Sequence, residues 1–156
     1  MQIRRAEVRD IPRIHELLSQ VLEVHANGRP DLFIHGTRKY TDEEIAQILA
    51  NEKLPVYVAV DDDDVVIAHC FCELQDKSGS NNMQPVRTYY IHDLCVDENV
   101  RGQHVGTALY QHVVALAREG GFHNVCLNVW SCNADAMAFY EAMGMRPYKV
   151  GMEQIL

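Results

Sequence analysis

The spacing of apolar residues along the chain changes several times, and each change predicts an element. Ile11, Ile14, Leu17, Leu18, Val21 and Leu22 recur at helical spacing. Asp10 stands at the cap position before them, Pro12 fits the first turn, and Gly28 and Pro30 end the segment. Thr41-Asp42-Glu43-Glu44 is a capping-box pattern, opening a second helix with Ile45, Ile48 and Leu49 inward. Residues 1–7 read as a short strand. Pro55–Val60 and Val65–Leu74 read as strands paired about the turn Asp61-Asp62-Asp63-Asp64, and the polar stretch Asp76–Pro85 as a loop. A long strand follows over 88–96. After it comes a helix with Val105, Ala108, Leu109, His112, Val113 and Leu116 on one face, stopped by Gly120-Gly121. Val125–Val129 is the next strand, and a helix over Ala134–Met143 is closed by Gly144. Residues 145–156 are expected to supply the last strands. There is no internal repeat and no linker. The mixture of strands and helices predicts one α/β domain over residues 1–156, with a central sheet covered on both faces.

Composition narrows the function class. At 156 residues the chain can bury a core without staples. No apolar run is long enough for a membrane helix, and Met1–Ala6 lacks the apolar region of a signal peptide, so no membrane partner is expected. The cysteines, Cys70, Cys72, Cys95, Cys126 and Cys132, are odd in number and lie mostly in apolar strands. That usage suits buried thiols in a reducing compartment, and a cytoplasmic location is expected. No Cys-x-x-Cys pair is present, so no zinc site is expected, and the four aspartates lack the glycine and distal glutamate of a calcium loop. A formal charge of −8 argues against nucleic-acid binding and mildly favours a cationic substrate, although solubility alone also accounts for it.

The most specific chemistry lies where the strand over 88–96 hands over to a helix, at Arg101-Gly102-Gln103-His104-Val105-Gly106-Thr107. A glycine-bearing loop that opens a helix exposes N–H groups with no intrahelical partner at the positive end of the helix dipole, which makes a socket for phosphate oxygens. Two familiar phosphate loops are excluded. The spacing of Gly102 and Gly106, with no following lysine, is not a P-loop, and Gly-x-Gly-x-x-Gly is absent.

The segment resembles motif A of the GNAT superfamily of N-acetyltransferases, Arg/Gln-x-x-Gly-x-Gly/Ala. Arg101, Val105 and Gly106 fit, while His104 stands where that family usually has its first glycine. The stretch Asn128–Met145 resembles motif B, with Asn133, Ala136, Phe139 and Tyr140 in an Asn-x-x-Ala-x-x-Phe-Tyr pattern and Gly144-Met145 at its end. The resemblance implies a three-layer α+β fold. Its mixed, mostly antiparallel sheet would be splayed between the strands at 89–96 and 125–129 and flanked by about four helices. It implies acetyl-CoA as cosubstrate and no metal. The diphosphate would rest on the N–H groups of Gly102, Gln103, His104, Val105, Gly106 and Thr107. Backbone groups of Leu94, Cys95 and Val96 would bind the pantetheine arm, and an amide near Cys95 would serve the oxyanion. The acceptor would be a small-molecule amine or a protein amino group. Homodimers are frequent among such enzymes, although no patch in this sequence compels one.

Role by role, alternatives stand beside the implied chemistry. Tyr140 is the implied acid for the coenzyme thiolate, since a phenol of pKa about 10 is neutral at pH 7; its other reading is core packing with Ala136, Phe139 and Met143. His92 is the leading base, because imidazole titrates near working pH; it also reads as a hydrogen-bonded structural histidine. By strand alternation His92 shares a face with Tyr90 and Leu94, opposite Ile91, Asp93 and Cys95, barring a bulge. Asp93 orients a base, binds an amine or bonds backbone, the last being the ordinary role of such a residue. Arg101 adds charge near the phosphates or fixes its loop, and Asn133 caps its helix, bonds the pantetheine, or does both. Cys95 and Cys132 lie near the cleft, so an acyl-cysteine route stands as the less favoured alternative to direct transfer. Arg29-Pro30-Asp31-Leu32-Phe33 and Tyr40 fall in the loop that borders the acceptor site in the resembling enzymes. The remaining histidines show no ligand spacing. The rival to an enzyme is a non-catalytic acyl-CoA-binding domain on the same fold.

Overall fold

Five strands lie side by side in chain order: β1 (Gln2–Arg5), β2 (Val56–Val60), β3 (Val66–Asp76), β4 (Arg87–Val96) and β5 (Asn124–Leu127). The first four pair antiparallel and β4 pairs with β5 in parallel, in a computed structural model that describes residues 1–156. A parallel neighbour requires a crossover, and α3 (Val105–Glu119) supplies it. The other helices are α1 (Ile11–Gly28), α2 (Asp42–Leu49) and α4 (Ala134–Ala142).

The helical stripes read from the sequence are the buried ones. Ile14, Leu17 and Ile45 of α1 and α2 pack on Val56, Val58, Phe71 and Cys95 on one face of the sheet. Leu109 and Val113 of α3 pack on Tyr57, Ala59, Cys70, Cys72, Tyr89 and Ile91 on the other, with Phe139 and Tyr140 of α4 against the same cluster. Every residue of β2 is buried, as a strand covered on both faces requires.

Thr41 and Glu44 form the expected box: the Thr41 hydroxyl accepts the Glu44 N–H at 3.1 Å and the Glu44 carboxylate accepts the Thr41 N–H at 2.7 Å. Asp10 differs from expectation. Its side chain does not cap α1. It accepts the Glu7 N–H at 2.8 Å and is clamped by Arg4 at 2.7 and 3.0 Å, tying β1 to the turn before the helix.

Two further departures shape the site. Residues 145–156 form no strand, and β5 stops at Leu127 rather than Val129. Tyr148, Val150 and Met152 alternate as a strand would, but their side chains are exposed. No backbone hydrogen bond is made beyond Met145, and without a backbone ladder to a neighbouring strand there is no strand. The second departure is a bulge. Phe71 faces Asp93 and Cys72 faces Ile91, which leaves His92 as the extra residue. The alternation along β4 therefore changes phase. Ile91 and Leu94 both point to the α3 side, while Tyr90, His92, Asp93 and Cys95 share the α1 side.

Candidate active site

The β4–β5 ladder runs only from Thr88 opposite Asn124 to Ile91 opposite Leu127. Beyond it β4 continues to Val96 paired with β3 alone, so the sheet is splayed on the β5 side there. The Asp97 N–H donates to the Ile67 carbonyl at 2.9 Å. With the register His69 opposite Cys95, alternation turns the backbone groups of Cys95 toward β3 and those of Leu94 and Val96 into the gap. Of the three strand residues singled out in the sequence, two thus face the gap. The Cys95 thiol points away from it and donates to the Leu17 carbonyl at 3.0 Å.

The gap leads to the start of α3. Gly106 sits so close to β4 that a Cβ there would stand 3.2 Å from Val96 Cγ2 and 3.6 Å from the Phe139 ring. Gly102 and His104 adopt left-handed conformations, with φ of 77° and 61°. Histidine is one of the few residue types enriched in that region, so His104 makes the turn that glycine makes in motif A. No side chain caps the helix, and the N–H groups of Val105, Gly106 and Thr107 meet no protein acceptor. Arg101 Nε donates to the Val96 carbonyl at 3.3 Å, a loop-fixing contact. The loop is braced from below by Asp97, which accepts the Asn99 N–H at 3.0 Å and pairs with Arg13 of α1. Asn133 caps α4, accepting the Ala136 N–H at 3.2 Å.

The titratable groups fall on both sides of the sheet. Tyr140 is packed between Phe139 and Tyr110, with ring centroids at 5.2 and 6.4 Å, and burial raises its phenol above the usual range. On the α1 side, His92 Nε2 lies 2.8 Å from Glu73 Oε2 and its ring meets Tyr90 edge to face at 4.8 Å. No hydrogen bond joins His92 to Tyr140. Burial pushes the Cys95 thiol up to about 12, which leaves it without thiolate character at neutral pH.

Three features of this side were missed in the sequence. Asp93 bonds no backbone; it pairs with Lys39, 54 positions away, at 2.6 Å. His25, Phe33 and Trp130 gather into one aromatic cluster, with Phe33 5.2 Å from His25 and 5.3 Å from Trp130. His69 is fully buried, and neither ring nitrogen has a partner. Only the loop position of Phe33 hinted at any of this. No group of three or more His, Cys, Asp or Glu side chains is placed to hold a metal ion, and no helix is long and apolar enough to cross a membrane.

A gap edged by strand amides, ending beneath an uncapped helix start, offers donors that an anionic group can use. Residues 15–145 match the Acetyltransferase (GNAT) family, and the chain belongs to it. Among solved structures, a mutant of the BH1408 protein from Bacillus halodurans is 32% identical, with a TM-score of 0.96 over 100% of this chain and 99% of that one. Glucosamine-6-phosphate N-acetyltransferase from Arabidopsis thaliana is 20% identical, with a TM-score of 0.71 over 99% of this chain and 97% of that one. An aminoglycoside acetyltransferase from an uncultured soil metagenomic sample is 19% identical, with a TM-score of 0.71 over 99% and 95%. A search of curated proteins returned no match.

Proposed function

We propose that the protein transfers an acetyl group from acetyl-CoA to a primary amine, by direct attack within a ternary complex. The observation that carries this reading is the set of unpartnered N–H groups opening α3, next to the unpaired end of β4. Phosphate oxygens fit those donors and the helix dipole behind them. Leu94 and Val96 offer the pantetheine amides an added-strand partner, and one of their N–H groups is the donor for the oxyanion. Acetyl-CoA supplies the activated acyl group. The amine nitrogen forms the new C–N bond as the C–S bond breaks, so one proton leaves the nitrogen and one reaches the sulfur.

Tyr140, protonated at neutral pH and pushed further up by burial, is the proposed donor of the second proton. His92 is the proposed base, with Glu73 fixing its ring through the 2.8 Å contact. The raised thiol of Cys95 and its bond to Leu17 speak against an acyl-cysteine route. Relatives named for acetylating an aminoglycoside and glucosamine-6-phosphate fit an amine acceptor. Free cysteines, four of the five buried, suit work in the cytoplasm.

The test is free-thiol release from acetyl-CoA across polyamines, amino acids, aminoglycosides and peptides. Acceptor-dependent release is expected. Tight acetyl-CoA binding with no release for any amine would instead favour a non-catalytic acyl-CoA-binding domain.

A further inference from the structure

The α1 side of the bulge carries a carboxylate that the reaction scheme leaves unused. The extra residue at His92 turns Asp93 to the same face as His92 and places it immediately before Leu94, whose backbone faces the gap. A carboxylate has about four acceptor positions, yet Asp93 receives one donor, the Lys39 ammonium at 2.6 Å. The two partners differ in freedom: the Asp93 side chain is 12% exposed and that of Lys39 is 44% exposed. The cation can swing into water, and the carboxylate cannot. Lys39 enters from the loop between α1 and α2. That loop is pinned at its middle, where Glu23 accepts from His35 at 2.7 Å and from the Gly36 N–H at 2.9 Å.

Around this pair stand rings. Lys39 Nζ lies 5.2 Å from the Tyr40 centroid, and Tyr40 stacks on Phe71 at 5.8 Å. The charges of Asp93 and Lys39 both reach His25, which belongs to the aromatic cluster with Phe33 and Trp130. A recessed carboxylate with aromatic faces is the chemistry that recognises an ammonium ion. Beneath Tyr40 and Phe71, His69 adds two buried ring nitrogens with no partner, at 5.2 Å from the Phe71 ring. Unsatisfied buried polar atoms are rare in folded proteins.

We infer that Asp93 is the seat for a non-reacting ammonium of the acceptor, and that Lys39 holds this seat as a tethered competitor until the acceptor displaces it. The inference rests on the acetyltransferase reading and names the acceptor class within it: an aliphatic amine with at least two nitrogens. The reacting nitrogen must lose a proton, and a carboxylate partner opposes that loss. Lys39 shows the opposition, since Asp93 holds its ammonium above the ordinary range against the pull of burial. The nitrogen on Asp93 therefore stays charged, while a second one faces His92 next to it. The formal charge of −8 draws such cations toward the protein.

The test is calorimetric binding of 1,4-diaminobutane and of 1-aminobutane to the wild type, Lys39→Met and Asp93→Asn, with thiol release from acetyl-CoA followed in parallel. Lys39→Met removes the competitor and keeps the stem, so diamine affinity should rise about fivefold, the scale of a half-exposed ion pair. Asp93→Asn should abolish diamine binding, and the monoamine should bind more weakly than the diamine to the wild type. Equal or weaker diamine binding by Lys39→Met would overturn the seat, as would wild-type affinity in Asp93→Asn or no binding to any form. Should Asp93→Asn fail to fold, the exposed Lys39 substitution decides alone. Diamine binding as described without thiol release would remove the proposed activity and keep the seat. Thiol release indifferent to both substitutions would do the reverse.

Discussion

Tyr140 shows how the packing reading of a side chain leaves room for a chemical one. It packs with Phe139 and Tyr110 as a core residue would, and that burial raises its phenol further above the usual range. Replacing Tyr140 with Phe keeps the rings together and removes the proton donor. Turnover should fall about a hundredfold, the usual size of a general-acid contribution, with acetyl-CoA affinity unchanged by calorimetry. Undiminished turnover at saturating acceptor would return the residue to a packing role. At this scale the legible residues were those with local signals. Arg101, Gly106, Asn133 and Tyr140 sit in runs whose spacing shows their place on a helix start or a helix face. Lys39 and Asp93 were illegible as a pair, because nothing local links a loop lysine to a strand aspartate 54 positions on. The phase of His92 was misread for a similar reason. The bulge contains neither glycine nor proline, and the register that reveals it belongs to β3 as much as to β4.

Among the elements, α3 carries the most consequence. Its start is held against β4 by a glycine. A valine at position 106 would press on Val96 and the Phe139 ring, both already within 3.6 Å of the missing Cβ. Overpacking of this kind costs about 1–3 kcal/mol. Gly106→Val should therefore lower the denaturant midpoint and, by displacing the N–H groups of Val105–Thr107, weaken acetyl-CoA binding. A loss of stability with wild-type coenzyme affinity would show that Gly106 serves packing alone. Helices with strong periodicity, α1, α2 and α3, could be read from the sequence, although only α2 has the side-chain cap expected of it. The tail could not. Alternation at Tyr148, Val150 and Met152 resembles a strand, but a strand needs an edge to pair with, and an edge is a property of the assembled sheet rather than of the segment.

For the molecule as a whole, the buried carboxylates join distant parts and set its response to acid. Asp97 is held below the usual range by the Asn99 N–H and side chain and by Arg13, against the pull of burial. Asp10 is opposed by burial too, but Arg4 and the Glu7 N–H outweigh it and lower its pKa. A folded pKa below the unfolded one means the stabilisation is complete above about pH 4 and is lost as pH falls through the folded value. The urea midpoint should drop steeply below about pH 4, and Asp97→Asn should flatten part of that drop. An unchanged slope in the variant would exclude Asp97 as a source.

The fold class, the sheet covered on both faces and the position of the turn that opens α3 were all legible, because they follow from period and from glycine placement. The proposed acceptor side was not, because it is assembled from α1, two loops and a bulge. The account depends most on acetyl-CoA lying along β4 with its diphosphate on the opening of α3. Amide-resolved NMR during an acetyl-CoA titration tests this directly. Saturable shifts should concentrate at Gly102–Thr107 and at Leu94 and Val96, and inorganic pyrophosphate should reproduce only the first group. Bound acetyl-CoA that leaves the amides of 102–107 unmoved would contradict it.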